Sequence, residues 1–267
     1  MSDAELFPGI GIRPWRHLFT RFDAGARVSI HPGARRVDRG IEPVRPARPP
    51  TRDELETLDG ARHPDRPAID VFSTPALLRE LFADLDPDEL PGSSAGGGPR
   101  GPTPVPSPGW SRFADDVARF FAHVRAPLVP PYRLSIDVRD PSLPTPLLAT
   151  GSCRDVLEDE AAEDPSTDVP FAAHVNLGDG PIDLVWWTVP VFAMRALLEK
   201  NGLGAPPGAR DVADRFVQCY PRCPAVRLSL PPGEGVFVPV ARVVHDVDPV
   251  GSADLAITLT ARPGAQG

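Results

Sequence analysis

Two histidines stand out among the residues of this chain that can do chemistry. His174 lies in "FAAHVNLGDGPIDLVWWTVP" (171–190), which reads as a strand, a tight Gly-Asp-Gly turn and a second strand. Asn176 follows it by two, and residues i and i+2 of a strand point to the same side, so the two share a face. His245 lies in a second strand-like run, "GVFVPVARVVHDVD" (235–248). An imidazole binds metals and carries protons near neutral pH. A histidine in a half-polar hairpin serves equally as a hydrogen-bonded structural residue, and His245-Asp246 can simply cap a strand; residue type alone leaves both readings open. Trp186 and Trp187 are adjacent and must face opposite ways, one into a core and the other, Trp187, toward a pocket. His17, His31 and His63 sit among Arg, Pro and Gly and read as surface residues.

Other chemistries find less support. Cys153, Cys219 and Cys223 form no zinc pattern and no disulfide framework, and read as reduced thiols. There is no Gly-x-Ser-x-Gly elbow. "SSAGGGPRG" lacks the strand before it and the Lys-Ser/Thr end that a phosphate-cradling loop needs.

The 267 residues carry a formal charge of −8, with one lysine among 28 basic residues. A negative chain without clustered cations argues against nucleic-acid binding. With 41% hydrophobic residues a true core can form. The N-terminus has no signal-peptide pattern, and no apolar run reaches the ~18–20 residues of a membrane span. A cytoplasmic protein without membrane or nucleic-acid partners is the expectation.

The elements that must position these residues divide unevenly. Of the 36 prolines, many crowd into "RPARPPTRDE" (45–54) and "PGSSAGGGPRGPTPVPSPG" (91–109), and the second segment is expected to be a mobile linker. Two amphipathic helices flank it: "STPALLRELFADL" (73–85), with Thr74 as N-cap, and "SRFADDVARFFAHVR" (111–125), with Ser111 as N-cap. From 132 the period changes to two: in "YRLSIDVR" Tyr132, Leu134, Ile136 and Val138 face one way and Arg133, Ser135, Asp137 and Arg139 the other. "RDVLEDEAAEDPSTD" (154–168) reads as an acidic loop rim, and helices are expected over 189–204 and 208–220. Strands are expected over 225–230, 235–248 and 253–262. The fold class is therefore α+β, mainly β. Residues 1–128 form a Pro-rich helical wrap, and 129–267 form a β core with a helical insertion near 190–220.

The run "LPPGEGVFVPVARVVHDVDPV" (230–250) resembles the late segment of the double-stranded β-helix (jelly-roll) proteins, the cupins and Fe(II)/2-oxoglutarate dioxygenases. The resemblance covers about residues 130–262. It implies that His245 is the distal histidine of an iron site and His174 the first ligand, 71 residues earlier. It puts Asn176 where the family has a carboxylate, with Asp179 and Asp183 as possible replacements. Two imidazoles and an oxygen donor would hold Fe(II) on one face and leave positions for co-substrate and oxygen. The family's cation after the distal histidine is missing from "VGSADLAI", and Arg262 lies 17 residues on. Arg227 or Arg133 is then the expected anchor for 2-oxoglutarate, through charge-assisted hydrogen bonds. The implied activity is oxidation or hydroxylation of a small molecule. The two departures equally allow a non-catalytic binding partner or subunit with a degenerate iron site, or a metal-dependent cupin isomerase or lyase.

Overall fold

The structure, a computed structural model, describes residues 6–15, 24–37, 40–62, 66–86, 107–124, 126–128, 132–139, 171–240, 242–248 and 256–263. The 91–106 part of the proline-rich segment, Cys153, the 154–168 rim, His17 and His63 lie outside the described residues. In chain order the elements are β1 (Gly11–Pro14), α1 (Ala24–Arg27), β2 (Val28–His31), β3 (Ala34–Val37), β4 (Gly40–Pro43), α2 (Arg52–Leu58), β5 (Ala68–Ser73), α3 (Ala76–Ala83) and α4 (Pro108–His123). There follow β6 (Tyr132–Arg139), β7 (Phe171–Asn176), β8 (Ile182–Trp187), α5 (Val191–Lys200), α6 (Ala209–Cys219), β9 (Ala225–Leu230), β10 (Glu234–Pro239), β11 (His245–Asp248) and β12 (Ala256–Pro263). No described helix is long and apolar enough to cross a membrane.

Period-two alternation decides the layers. A six-stranded sheet runs β1-β5-β10-β7-β12-β6 and a four-stranded sheet runs β11-β8-β9-β2. All their pairings are antiparallel except β1 with β5. One apolar set of each sheet meets the other: Ile69, Val71, Val236 and Val238 from the larger pack with Leu184, Trp186, Val226 and Leu228 from the smaller. The opposite set of each sheet receives helices. Phe72, Ala173, Val175, Phe237 and Leu259 pack under Trp110, Phe113, Val117 and Phe121 of α4. Val185, Trp187 and Ala225 pack under Met194, Leu198, Val212 and Phe216 of α5 and α6. The molecule is thus mixed α and β, mostly β, with two sheets face to face between two helical layers.

Several expectations are corrected in detail. Residues before 128 are not only helical: β1 and β5 join the large sheet and β2 joins the small one. The run 235–248 is two strands, because the chain turns after Pro239, where Arg242 N donates to Pro239 O at 3.0 Å. Helix α4 starts at Pro108 and is capped by Ser107, whose hydroxyl accepts from Trp110 N, while Ser111 donates back to Ser107 O. Proline suits that first helical position because it has no N–H to satisfy. Thr74 is not the cap of α3; its hydroxyl donates to Gly233 O at 2.8 Å. His31 is buried, not superficial, and its Nδ1–H donates to Val44 O at 3.0 Å.

Helix α2 opens with a capping box: Thr51 Oγ1 accepts from Glu54 N at 3.3 Å, and Glu54 Oε2 accepts from Thr51 N at 2.8 Å. Arg48 grips the same carboxylate at 2.7 and 2.6 Å. These hydrogen bonds, Arg48's first, hold the Glu54 carboxyl below its ordinary range against the opposing effect of burial. A depressed carboxylate pKa contributes stability above the unfolded value of ~4.3, and that stability fades as pH falls toward the folded value. Glu54→Gln is therefore expected to lower the urea midpoint at pH 7, and its deficit against the parent should shrink below about pH 4.5. A deficit independent of pH would remove the charge from this account.

Candidate functional site

The residues that meet between the sheets are set by the same alternation. In β7, Ala173 and Val175 face α4, so His174 and Asn176 face inward. In β11, Val247 belongs to the inner core, so His245, two residues earlier, is inward as well. In β12, Leu259 and Ala261 lie under α4, which turns Thr258 and Thr260 inward. Register places Thr260 beside His174 and His245 beside Trp186. The neighbouring β10 presses close, because Gly235 has no Cβ; one there would stand 2.6 Å from the Phe72 ring and 2.8 Å from His174 O.

His174 Nε2 and His245 Nε2 stand 3.0 Å apart, both rings are buried, and the rings are inclined at 62°. His245 Nδ1 lies 3.0 Å from Val243 O, and since a carbonyl only accepts, that nitrogen carries hydrogen. In the neutral pair His245 Nε2 is then the acceptor and His174 Nε2 the donor. His174 Nδ1, 3.1 Å from Thr260 Oγ1, accepts in turn from the threonine hydroxyl. The result is a directed chain from Thr260 through His174 and His245 to the Val243 carbonyl. At 3.0 Å the two nitrogens are also close enough to share one ion through bonds of about 2.0–2.1 Å, but only once the rings turn, because centroids 5.2 Å apart set the nitrogens head-on, as a hydrogen bond requires. A backbone carbonyl on the far nitrogen is the usual way a ligating ring is oriented. The pair thus offers two imidazole donors to a divalent ion.

Asn176 does not complete the set. Its Nδ2 donates to Gly180 O and Leu230 O, both at 2.9 Å, and its Oδ1 accepts from Gly178 N at 3.0 Å. Its own carbonyl accepts from Gly233 N at 2.9 Å. The carboxamide is a bracket that closes the β7–β8 turn against the end of β9. Asp179 sits exposed on that turn and pairs with Arg79 at 3.0 Å. Asp183 is on the outer face of β8, paired with Arg227 at 2.5 Å. Neither carboxylate joins the histidines, and the described residues contain no group of three or more His, Cys, Asp or Glu arranged to hold a metal.

The remaining expected site residues separate by face. Arg227 is two residues from Ala225, which packs under the helices, so it lies on the side of the small sheet away from His245. Trp187 is fully buried under α5 and α6 and lines no part of the histidine site; Trp186 is the indole on that side. Arg133 is exposed on β6, on the face that carries Ser135 and Asp137 and continues to Thr260 and Thr258 of β12. Thr260 and the Val243 carbonyl were not singled out from the sequence. The alternation in "AITLT" marks Thr258 and Thr260 as one polar face, but nothing local says that His174 lies beside it.

No protein-family model matches the chain, and no curated protein matches it. Among solved structures, the Kdo hydroxylase KdoO, a non-heme Fe(II) alphaketoglutarate dependent dioxygenase, in complex with cobalt(II), aligns with a TM-score of 0.40 at 14% identity, over 73% of this chain and 79% of that chain. Its complex with alphaketoglutarate and Fe(III) gives 0.38 at 15% identity over the same shares. Likeness at this level assigns neither family nor activity.

Proposed function

We propose that the chain is a double-stranded β-helix protein whose paired imidazoles, His174 and His245, bind Fe(II), and that it oxidises or hydroxylates a small molecule. The inward-facing His174–His245 contact, Nε2 to Nε2 at 3.0 Å, carries this reading. The connectivity supports it: the strand order β6-β12-β7-β10 opposes β11-β8-β9, and the chain crosses between sheets from β7 to β8, β9 to β10, β10 to β11 and β11 to β12. The unpartnered Trp186 indole N–H, buried on the strand beside His245, adds a donor to that wall.

When bound, Fe(II) would supply the activation of oxygen that the side chains cannot. For both Nε2 atoms to present lone pairs, His174 must carry its hydrogen on Nδ1, and Thr260 accommodates this by turning from donor to acceptor. His245 needs no such change, since Val243 O already holds its Nδ1–H. Arg133 is the better-placed anchor for a 2-oxoglutarate carboxylate, being on the histidine-bearing face. Arg227 is not.

Anaerobic Fe(II) titration of the parent and of a His174→Ala/His245→Ala double variant tests the reading. Stoichiometric binding in the parent and its loss in the variant are expected; when O2 is then admitted to the iron-loaded parent with 2-oxoglutarate, succinate and CO2 should be released. Binding without succinate release points to a cupin isomerase or lyase. Equal, non-stoichiometric uptake by both proteins would sink the metal site.

A second reading rests on Asn176. The turn takes up its carboxamide, which is then not available as a third donor. A protein that keeps the barrel as a non-catalytic binding subunit fits that observation.

A further inference from the structure

At the edge of the small sheet, segment 44–49 runs antiparallel beside strand β2 as a strap. Ile30 and Arg48 exchange both backbone hydrogen bonds, at 2.8 and 2.9 Å, and the buried His31 holds Val44 O. Beneath the strap is a cavity of about 500 Å³. Its floor includes Ser29 and Arg227, which are register partners on β2 and β9, and its rim includes Arg45, Pro46 and Arg48. Among the described residues, none that lines it is acidic.

Three arginines converging on one cavity are notable in a chain of net charge −8. Carboxylates outside the lining brace Arg48, through Glu54, and Arg227, through Asp183, and Arg48 also donates to Pro49 O at 3.0 Å. A guanidinium held by a carboxylate on one edge is preoriented, so less rotamer freedom is lost when the other edge meets an anion. Guanidinium forks match phosphate oxygens in a two-pronged geometry, and a hydroxyl such as that of Ser29 adds a further donor. The volume is that of a small-ligand site, well above that of a bare oxyanion.

We propose that this cavity binds a phosphomonoester of sugar-phosphate size, its phosphate held by Arg45, Arg48 and Arg227. The site is separate from the histidine pair: the small sheet lies between them. Arg227 thus has a ligand role, but on the opposite face from any iron-bound co-substrate.

Calorimetric titration of the full chain with glucose 6-phosphate at low ionic strength is the test, with glucose and succinate as controls. Saturable binding of glucose 6-phosphate is expected, weakened by salt, with none for glucose and weaker binding for succinate. Arg227→Gln is expected to weaken it by roughly tenfold or more. That variant also strips Asp183 of its partner and can cost the fold. The exposed Arg45→Gln therefore decides: a roughly threefold or greater loss of affinity at an unchanged melting temperature supports the site. No saturable binding at millimolar ligand, equal affinity in Arg45→Gln and parent, or tighter binding of succinate each overturns the proposal. The His174→Ala/His245→Ala variant should bind glucose 6-phosphate as the parent does, whatever its behaviour with Fe(II); a loss there at unchanged melting temperature would merge the two sites and end the proposal.

Discussion

Asn176→Asp is expected to destabilise the fold by about 3–5 kcal/mol at pH 7 and to leave Fe(II) binding no tighter than in the parent. Chemically the substitution places a carboxylate two residues after His174. Structurally it removes both N–H donors that Gly180 O and Leu230 O use, and sets a buried carboxylate against two carbonyl oxygens. Burial and those oxygens disfavour the ionised form, so the aspartate pKa must rise in the folded state. A carboxyl group whose folded pKa exceeds its unfolded value of ~3.9 loses stability as pH rises between the two values. The variant's deficit should therefore be smaller near pH 4 than at pH 7. Urea unfolding across that range, paired with Fe(II) titration, reads both effects. A stable variant with tightened Fe(II) binding would make position 176 a ligand position after all, and the bracket role would fall.

Phe237→Ala is the second large effect, expected to cost about 3–5 kcal/mol. Phe237 is fully buried, stacked on Phe72 at 4.2 Å between centroids, with Trp15 edge-on at 5.3 Å and Phe121 at 6.0 Å. It joins β10 to the α4 layer, and β10 is the strand that flanks His174 on the side opposite Thr260. The void cannot close by movement of one neighbour, because rings from β5, α4 and the end of β1 all lean on the same atoms. Chemical denaturation should show the full loss. Phe192→Ala, on a half-exposed residue of α5, should cost far less. Similar costs for the two would mean that the α4 layer is not cemented by this ring.

Much of the local structure was legible because it has a period. The alternation in 132–139 and 225–230, the Asn-Gly stop after α5 and the stripe of α4 are visible in the residues and appear as strands and helices. Boundaries were less legible. Ser107 caps α4 rather than Ser111, since both are serines before the same stripe and only the path of the chain chooses between them.

The histidines show the division most clearly. By itself the sequence determined that His174 and Asn176 share a strand face, that His245 lies on another strand, and that the chain is acidic with few cations outside arginine. Only the tertiary structure decided that the two imidazoles meet at 3.0 Å, that Thr260 stands behind one and a backbone carbonyl behind the other, and that Asn176 serves a turn instead. It also decided that Arg227 and Trp187 look away from the pair while Arg227, Arg45 and Arg48 gather around a different cavity. The reason is physical. A strand's period fixes which of two faces a side chain takes, but which face is inside depends on pairings between residues far apart in the chain, and those are set by the burial of whole sheets rather than by any local run.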